Sequence, residues 1–231
     1  MLRTVVLSVL SVHLCWAQNP WEPVPEQGYG LGKHNEFLKY TSEHKDQVKA
    51  VFIGASITEY WQQEGKQYWN GFAAKGAVNY GIGGDQTTGV LWRIQNKELD
   101  GLHPKVIVVG SGPGENFMGS HTSTSWSDVL RAHKEIITEL RAKSPQSKLI
   151  VVGHTPYGDH VSNEKSKLIN AELKKVADDK TVFYIDISSH LTDASGKQLD
   201  SMFRTDHVHL STAGYKVWSD QMGPLFDRLM Q

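Results

Sequence analysis

Five short apolar runs punctuate the chain, at residues 48–53, 77–80, 106–109, 149–152 and 182–187. The third and fourth are almost continuously branched and apolar, as strands buried on both faces should be. Helical spacing fills the gaps between runs. Val129, His133, Ile136 and Leu140 fall on one face behind Ser125 and Asp128, which read as a cap. Ile169, Leu173 and Val176 do the same behind Ser162, and a last helix begins near Ser211 and carries Val217 and Trp218. Pro224 is expected to kink or restart that helix. Residues 34–49 are polar and charged and read as a helix before the first strand. Strands alternating with helices predict the α/β class, with a five-stranded parallel sheet, helices on both faces and right-handed crossovers. No repeat or linker divides residues 45–231, which read as one domain preceded by an arm and helix over 18–44.

Length and charge narrow the function classes. A chain of 231 residues suits one domain with a real core, and a formal charge of −1 gives no electrostatic footprint for nucleic acid or an acidic membrane surface. The first 17 residues stand apart. Arg3 precedes an apolar run over 5–14, then Cys15, Trp16 and Ala17. This reads as a secretory signal peptide cut after Ala17, too short and wrongly flanked to span a membrane. The expectation is a secreted, extracellular protein. The only cysteine, Cys15, would leave with the signal, and the remaining charge would be 23 − 25 = −2. No Asn-x-Ser/Thr acceptor is present. Residues 18–32 hold Pro20, Pro23, Pro25, Gly28, Gly30 and Gly32, the composition of an extended surface arm or of disorder, with Trp21 favouring docking.

The chemistry collects where the strands end. In a doubly wound sheet the carboxyl ends of the strands form one edge, where ligands bind. Past the first run comes Gly54-Ala55-Ser56, and past the second Gly81-Ile82-Gly83-Gly84-Asp85. The third is followed by Gly110-Ser111-Gly112-Pro113-Gly114-Glu115-Asn116, the fourth by His154, and the fifth, after a longer loop, by Asp206-His207-Val208-His209-Leu210. Alone, a serine between strand and helix is usually a helix cap. Beside a histidine and an aspartate it has the parts of acyl transfer. A serine hydroxyl needs a base, the base needs a carboxylate to fix its tautomer, and the oxyanion needs amide donors that glycine turns present unobstructed.

These blocks resemble the SGNH (GDSL-type) hydrolases, through residues 51–61, 79–94, 105–109 and 206–210. Within that superfamily, Gly81-Ile82-Gly83-Gly84-Asp85 followed by Val90-Leu91-Trp92-Arg93 is similar to the catalytic subunits of intracellular platelet-activating-factor acetylhydrolase. The resemblance implies a flavodoxin-like three-layer sandwich that hydrolyses short acyl esters of a lipid or carbohydrate, with no cofactor and no metal. It implies Ser56 as nucleophile, His209 as base and Asp206 as its partner, with the amides of Gly84 and Ser56 as oxyanion donors. It also implies subunit pairing, hence a homodimer, with Trp92-Arg93 packed on a helix. Two positions depart from the family pattern. Ala55 replaces the acid of Gly-Asp-Ser, and Gly114 stands where the third oxyanion donor, an Asn, is expected. Either the Asn116 side chain or the Gly114 amide would have to replace it.

Other readings compete residue by residue. Gly81–Gly84 lacks the Lys-Ser/Thr of a phosphate-binding loop. Asp206, His207 and His209 could start a metal site, with His154 and Asp186 at neighbouring strand ends. His154 reads as a surface or loop-packing residue, or as a substrate-pocket one. Tyr60, Trp61, Tyr68, Trp69 and Phe72 read as core first and as an acyl pocket second. A competing class is a catalytically impaired secreted relative acting as a binding, matrix or signalling component.

Overall fold

The computed structural model describes residues 19–110, 112, 117–118 and 122–231. The segment read as a signal peptide, together with Gly114 and Asn116, lies outside the described residues. Five parallel strands, β1 (Ala50–Gly54), β2 (Ala77–Gly81), β3 (Val106–Val109), β4 (Lys148–Val152) and β5 (Val182–Ile185), stand in the order β2-β1-β3-β4-β5. The helices are α1 (Gly28–His44), α2 (Ser56–Glu59), α3 (Lys66–Ala73), α4 (Thr87–Gln95), α5 (Trp126–Lys143), α6 (His160–Leu173) and α7 (Thr212–Met230).

Strand alternation sorts the core into two layers. Val51, Ile53, Ile107, Val109, Leu149 and Val151 face α1, α4, α5 and α6. Ala50, Phe52, Val106, Val108, Ile150 and Val152 face α3 and α7, where Trp61, Trp69, Phe72, Trp218 and Phe226 pack together through edge-to-face and tilted ring contacts. Each large side chain buried there stabilises the fold by about 1.5–3 kcal/mol. The crossover from β1 to β2 uses one face and one direction, and the next three use the other face and the opposite direction. All four therefore share one hand, as the crossover rule requires. The chain direction reverses between β1 and β3, so the crevice of the doubly wound sheet opens there.

Several boundaries differ from the sequence reading. Helix α1 starts at Gly28, not residue 34, because Gly30, His34, Phe37 and Thr41 form one buried stripe at helical spacing. Only one of the four is a large apolar residue, so periodicity alone missed it. The arm before it is docked: Thr87 Oγ1 donates to Pro20 O at 2.6 Å, Val24 N to Thr88 O at 3.1 Å, and the Arg131 guanidinium lies 4.1 Å from the Trp21 ring centre. Ser125 and Asp128 do form a reciprocal capping box on α5. On α6 the cap is Asp159, whose carboxylate accepts from Ser162 N, rather than Ser162 itself. Helix α7 continues through Pro224, since Trp218, Met222 and Phe226 hold both halves against the sheet at the cost of one hydrogen bond. Strand β5 stops at Ile185 because Asp186 Oδ1 accepts from Ser188 N at 2.8 Å and turns the chain.

Candidate active site

Ser56 is the first residue of α2, two positions past the end of β1. The helix is tied down at both ends. Thr58 N and Glu59 N both donate to Ala55 O, at 3.0 and 2.9 Å, and the Tyr215 hydroxyl donates to Ile57 O at 2.6 Å. Gly54 and Gly110 make this seating possible, because a Cβ on either would collide with Thr58 Oγ1. The helix thus nests over the crevice between β1 and β3.

The loop after β5 brings the other two groups. His209 Nε2 lies 2.9 Å from Ser56 Oγ, and His209 Nδ1 lies 2.9 Å from Asp206 Oδ2. The carboxylate can only accept, so Nδ1 carries the proton and Nε2 is free to accept from the serine hydroxyl. Asp206 Oδ1 accepts from the amides of Val208 and His209, at 3.0 and 2.9 Å. His207 takes φ 56° to fold the chain back on itself. The loop is pegged to the core through buried Phe203 and Leu210, which form an antiparallel bridge, and Arg204 N donates to His209 O at 2.7 Å. Partial burial works against the charge on Asp206. It is outweighed by the His209 amide, the His209 ring and the Val208 amide, which hold the carboxyl down at about 2. The imidazole also rests on the Tyr60 ring, centroids 4.9 Å apart, with the Arg204 guanidinium 5.4 Å from the Tyr60 centroid.

The glycine turn lies beside α2. Ile82 N donates to Gly54 O at 3.2 Å, and a Cβ on Gly81 would strike the backbone of Thr58 and Glu59. Gly84 has φ 81°, and a Cβ there would meet open space. No acceptor for the amide of Gly84 or of Ser56 is present among the described residues.

Arg93 is a functional-site neighbour that the sequence reading placed differently. It is fully buried within the chain. It reaches Asp85 Oδ2 at 2.8 Å, Glu98 Oε1, Tyr80 O at 3.1 Å and Gly54 O at 3.2 Å. Burial works against its charge, but Glu98 and Asp85 more than restore it and raise its pKa. This side chain therefore ties the ends of β1 and β2 together, while Trp92 packs against His34, ring centroids 5.0 Å apart. An arginine inside the apolar stretch Val90-Leu91-Trp92-Arg93-Ile94 was the signal for it.

His154 is neither at the surface nor in a pocket with Ser56. It is buried, and its Nε2 lies 2.7 Å from His133 Nε2. Burial, reinforced by His133, pushes its pKa well below the usual histidine value. Of the aromatic stretch, Trp61, Trp69 and Phe72 are core, while Tyr60 and Tyr68 pack at its margin. Among the described residues, no group of three or more His, Cys, Asp or Glu side chains is placed to hold a metal ion.

A doubly wound α/β sheet with a serine, histidine and aspartate hydrogen-bonded in series at its carboxyl edge has the layout of a serine hydrolase. Residues 52–217 match the model of the GDSL-like Lipase/Acylhydrolase family, and the chain belongs to that family. It is 31% identical over 210 residues to platelet-activating factor acetylhydrolase IB subunit alpha2 of Rattus norvegicus, covering 87% of this chain and 83% of the relative. It is 29% identical over 215 residues to the alpha1 subunit of the same organism, covering 91% and 88%. A crystal structure of a GDSL-like lipase from Bacteroides thetaiotaomicron superposes with TM-score 0.68 at 17% identity, over 84% of this chain and 98% of that one, and so shares the fold.

Proposed function

We propose that the chain is a secreted serine esterase that removes a short acyl group, of the acetyl type, from a lipid or carbohydrate. The observation that carries this reading is the unbroken hydrogen-bonded series from Ser56 through His209 to Asp206. In the forward step Ser56 Oγ attacks the ester carbonyl carbon while its proton passes to His209 Nε2. The oxyanion accepts from the amides of Ser56 and Gly84. Collapse breaks the ester bond, and His209 returns the proton to the departing alkoxide, leaving acyl-Ser56. Water then repeats the sequence, with His209 as base, and releases the acid. Asp206 stays ionised throughout, because its carboxyl is held at about 2. The acetyl preference draws on the rat relatives, which are subunits of an acetylhydrolase.

The test is hydrolysis of p-nitrophenyl acetate by the purified protein. We expect turnover by the wild type and a loss of about 10³-fold or more in Ser56→Ala. Turnover that survives the substitution removes Ser56 from the role. Secretion, the part of the proposal that rests on residues 1–17, predicts a protein in culture medium whose first residue is Gln18. Domain limits of 18–44 and 45–231, and a homodimer, belong to the same proposal.

A second reading, a relative with impaired catalysis that binds acylated ligands, is favoured by Ala55 and by Gly114 at the usual Asn position. Loss of one oxyanion donor costs about 10²–10³ in turnover. On that reading Gly114→Asn gains activity by a comparable factor. On the esterase reading, with Asn116 or the Gly114 amide as the third donor, it gains little.

A further inference from the structure

The arm and the glycine turn meet in a way the serine chemistry above does not use. Gly83 and Gly84 have no side chains to anchor them, so the direction of the Gly84 amide must be set by the bonds of its neighbours. Both neighbours are engaged. Asp85 N donates to Ile82 O at 3.2 Å, and Gly83 N donates to Glu59 Oε2 at 2.7 Å. The other carboxylate oxygen of Glu59 accepts from the Tyr29 hydroxyl at 2.5 Å. Burial and that carboxylate push the Tyr29 phenol up to about 12, which keeps it a donor. Glu59 thus couples α2, the turn and the start of α1.

The far side of the turn is held by a second carboxyl pair. Glu26 is hydrogen-bonded to Asp85, which itself accepts from Gln86 N at 2.7 Å. Two bare glycines make room for it. A Cβ on Gly89 would collide with both Asp85 Oδ1 and Glu26 Oε1, and a Cβ on Gly30 would collide with Glu26 Oε2. Arg93 is the cation facing this cluster, against Asp85 and Glu98, and His34 Nδ1 donates to Glu98 Oε2 at 3.1 Å. An ionised Glu26 would make three carboxylates around Arg93, so a shared proton is the stable arrangement. Burial first, then the charge and hydrogen bond of Asp85, raise Glu26 to about 7. Between arm and turn lies a cavity of about 360 Å³, walled by Pro25, Glu26 and Tyr29 on one side and Gly83, Gly84 and Gln86 on the other.

We propose that Glu59 and Glu26 are positioning residues for the oxyanion turn: Glu59 fixes the Gly83 amide, and Glu26 straps the arm to Asp85, so that the Gly84 amide is held toward Ser56. This rests on the esterase reading. The strap carries a pH dependence with a definite sign. Glu26 is raised above its ordinary value of 4.5, so its contribution is fully present below that value and is lost as pH rises through about 7. Gln at this position keeps an N–H donor for Asp85 at every pH.

The experiment is steady-state hydrolysis of p-nitrophenyl acetate by the full chain, with Ser56→Ala as the blank. Glu59→Ala should lower kcat by about 10- to 100-fold with KM within about twofold, the signature of a misdirected transition-state donor. Glu59→Gln, which retains one carbonyl acceptor, should recover most of that loss. The ratio of kcat for Glu26→Gln to that for wild type should rise about threefold or more between about pH 6 and about pH 8.5. Any pH dependence of the Ser56 chemistry itself is common to both proteins and cancels in that ratio. Should Glu59→Ala fail to fold, the Gln variants decide alone. A kcat for Glu59→Ala within about twofold of wild type, or a ratio flat with pH, overturns the proposal while leaving the esterase reading intact. A wild type without Ser56-dependent turnover overturns both.

Discussion

His209 and His154 both follow strand ends at the same edge of the sheet, and both engage another side chain through Nε2, at 2.9 and 2.7 Å. Their surroundings make them opposites. His209 has a carboxylate on Nδ1 and is partly open to solvent, with 22% of its side chain exposed. A proton taken onto Nε2 would be matched by the Asp206 charge. His154 is fully buried, and among the described residues no carboxylate faces it and its Nδ1 has no hydrogen-bond partner. The arrangement that wastes least leaves a lone pair at Nδ1 and puts the proton on Nε2, donating to His133. A cation on His154 would be fully buried, and desolvation opposes it. Position at the carboxyl edge therefore nominates a histidine for chemistry, and the carboxylate behind it decides.

That contrast can be broken by exchanging the consequences. His209→Gln should cost about 10³-fold or more in kcat for p-nitrophenyl acetate, with a melting temperature close to wild type, because a partly exposed loop residue replaced by a side chain of similar size loses little packing. A comparable residual rate would deny it the role of base. His154→Leu should do the reverse. It removes one hydrogen-bond partner of His133 in a buried site and should lower stability by about 1–3 kcal/mol in urea, with kcat unchanged. A lost kcat with unaltered stability would move His154 into the chemistry. Acid sharpens the comparison. The folded pKa of His154 is depressed, so its contribution to stability is present above the unfolded value of about 6.5 and is lost as pH falls toward the folded one. The wild type should therefore lose stability on acidification below about pH 6.5, and His154→Leu should lose less of it.

Much of this arrangement was legible before the structure. Five apolar runs gave five strands, and residues just past them gave Ser56, the glycine turn and the Asp206–His209 loop, since both depend on local pattern and strand topology. The sequence could not show what several elements make together. Glu26, Asp85, Arg93 and Glu98 come from the arm, a turn, the last turn of α4 and the loop after it, and their spacing carries no period. His133 and His154 are joined only because α5 packs over β4. The start of helix α1 is not legible in the sequence because its buried stripe opens with Gly30 and His34, whose burial reflects a carboxyl slot and a buried hydrogen bond to Glu98 rather than apolar character.

Every catalytic role above depends on Ser56 being activated by His209. The direct measurement is labelling with a serine-directed fluorophosphonate, followed by peptide mapping. We predict one modified serine, Ser56, in the wild type, and labelling of Ser56 at least about 10²-fold slower in His209→Gln. Labelling of another serine, or of Ser56 at the same rate without the histidine, would contradict it.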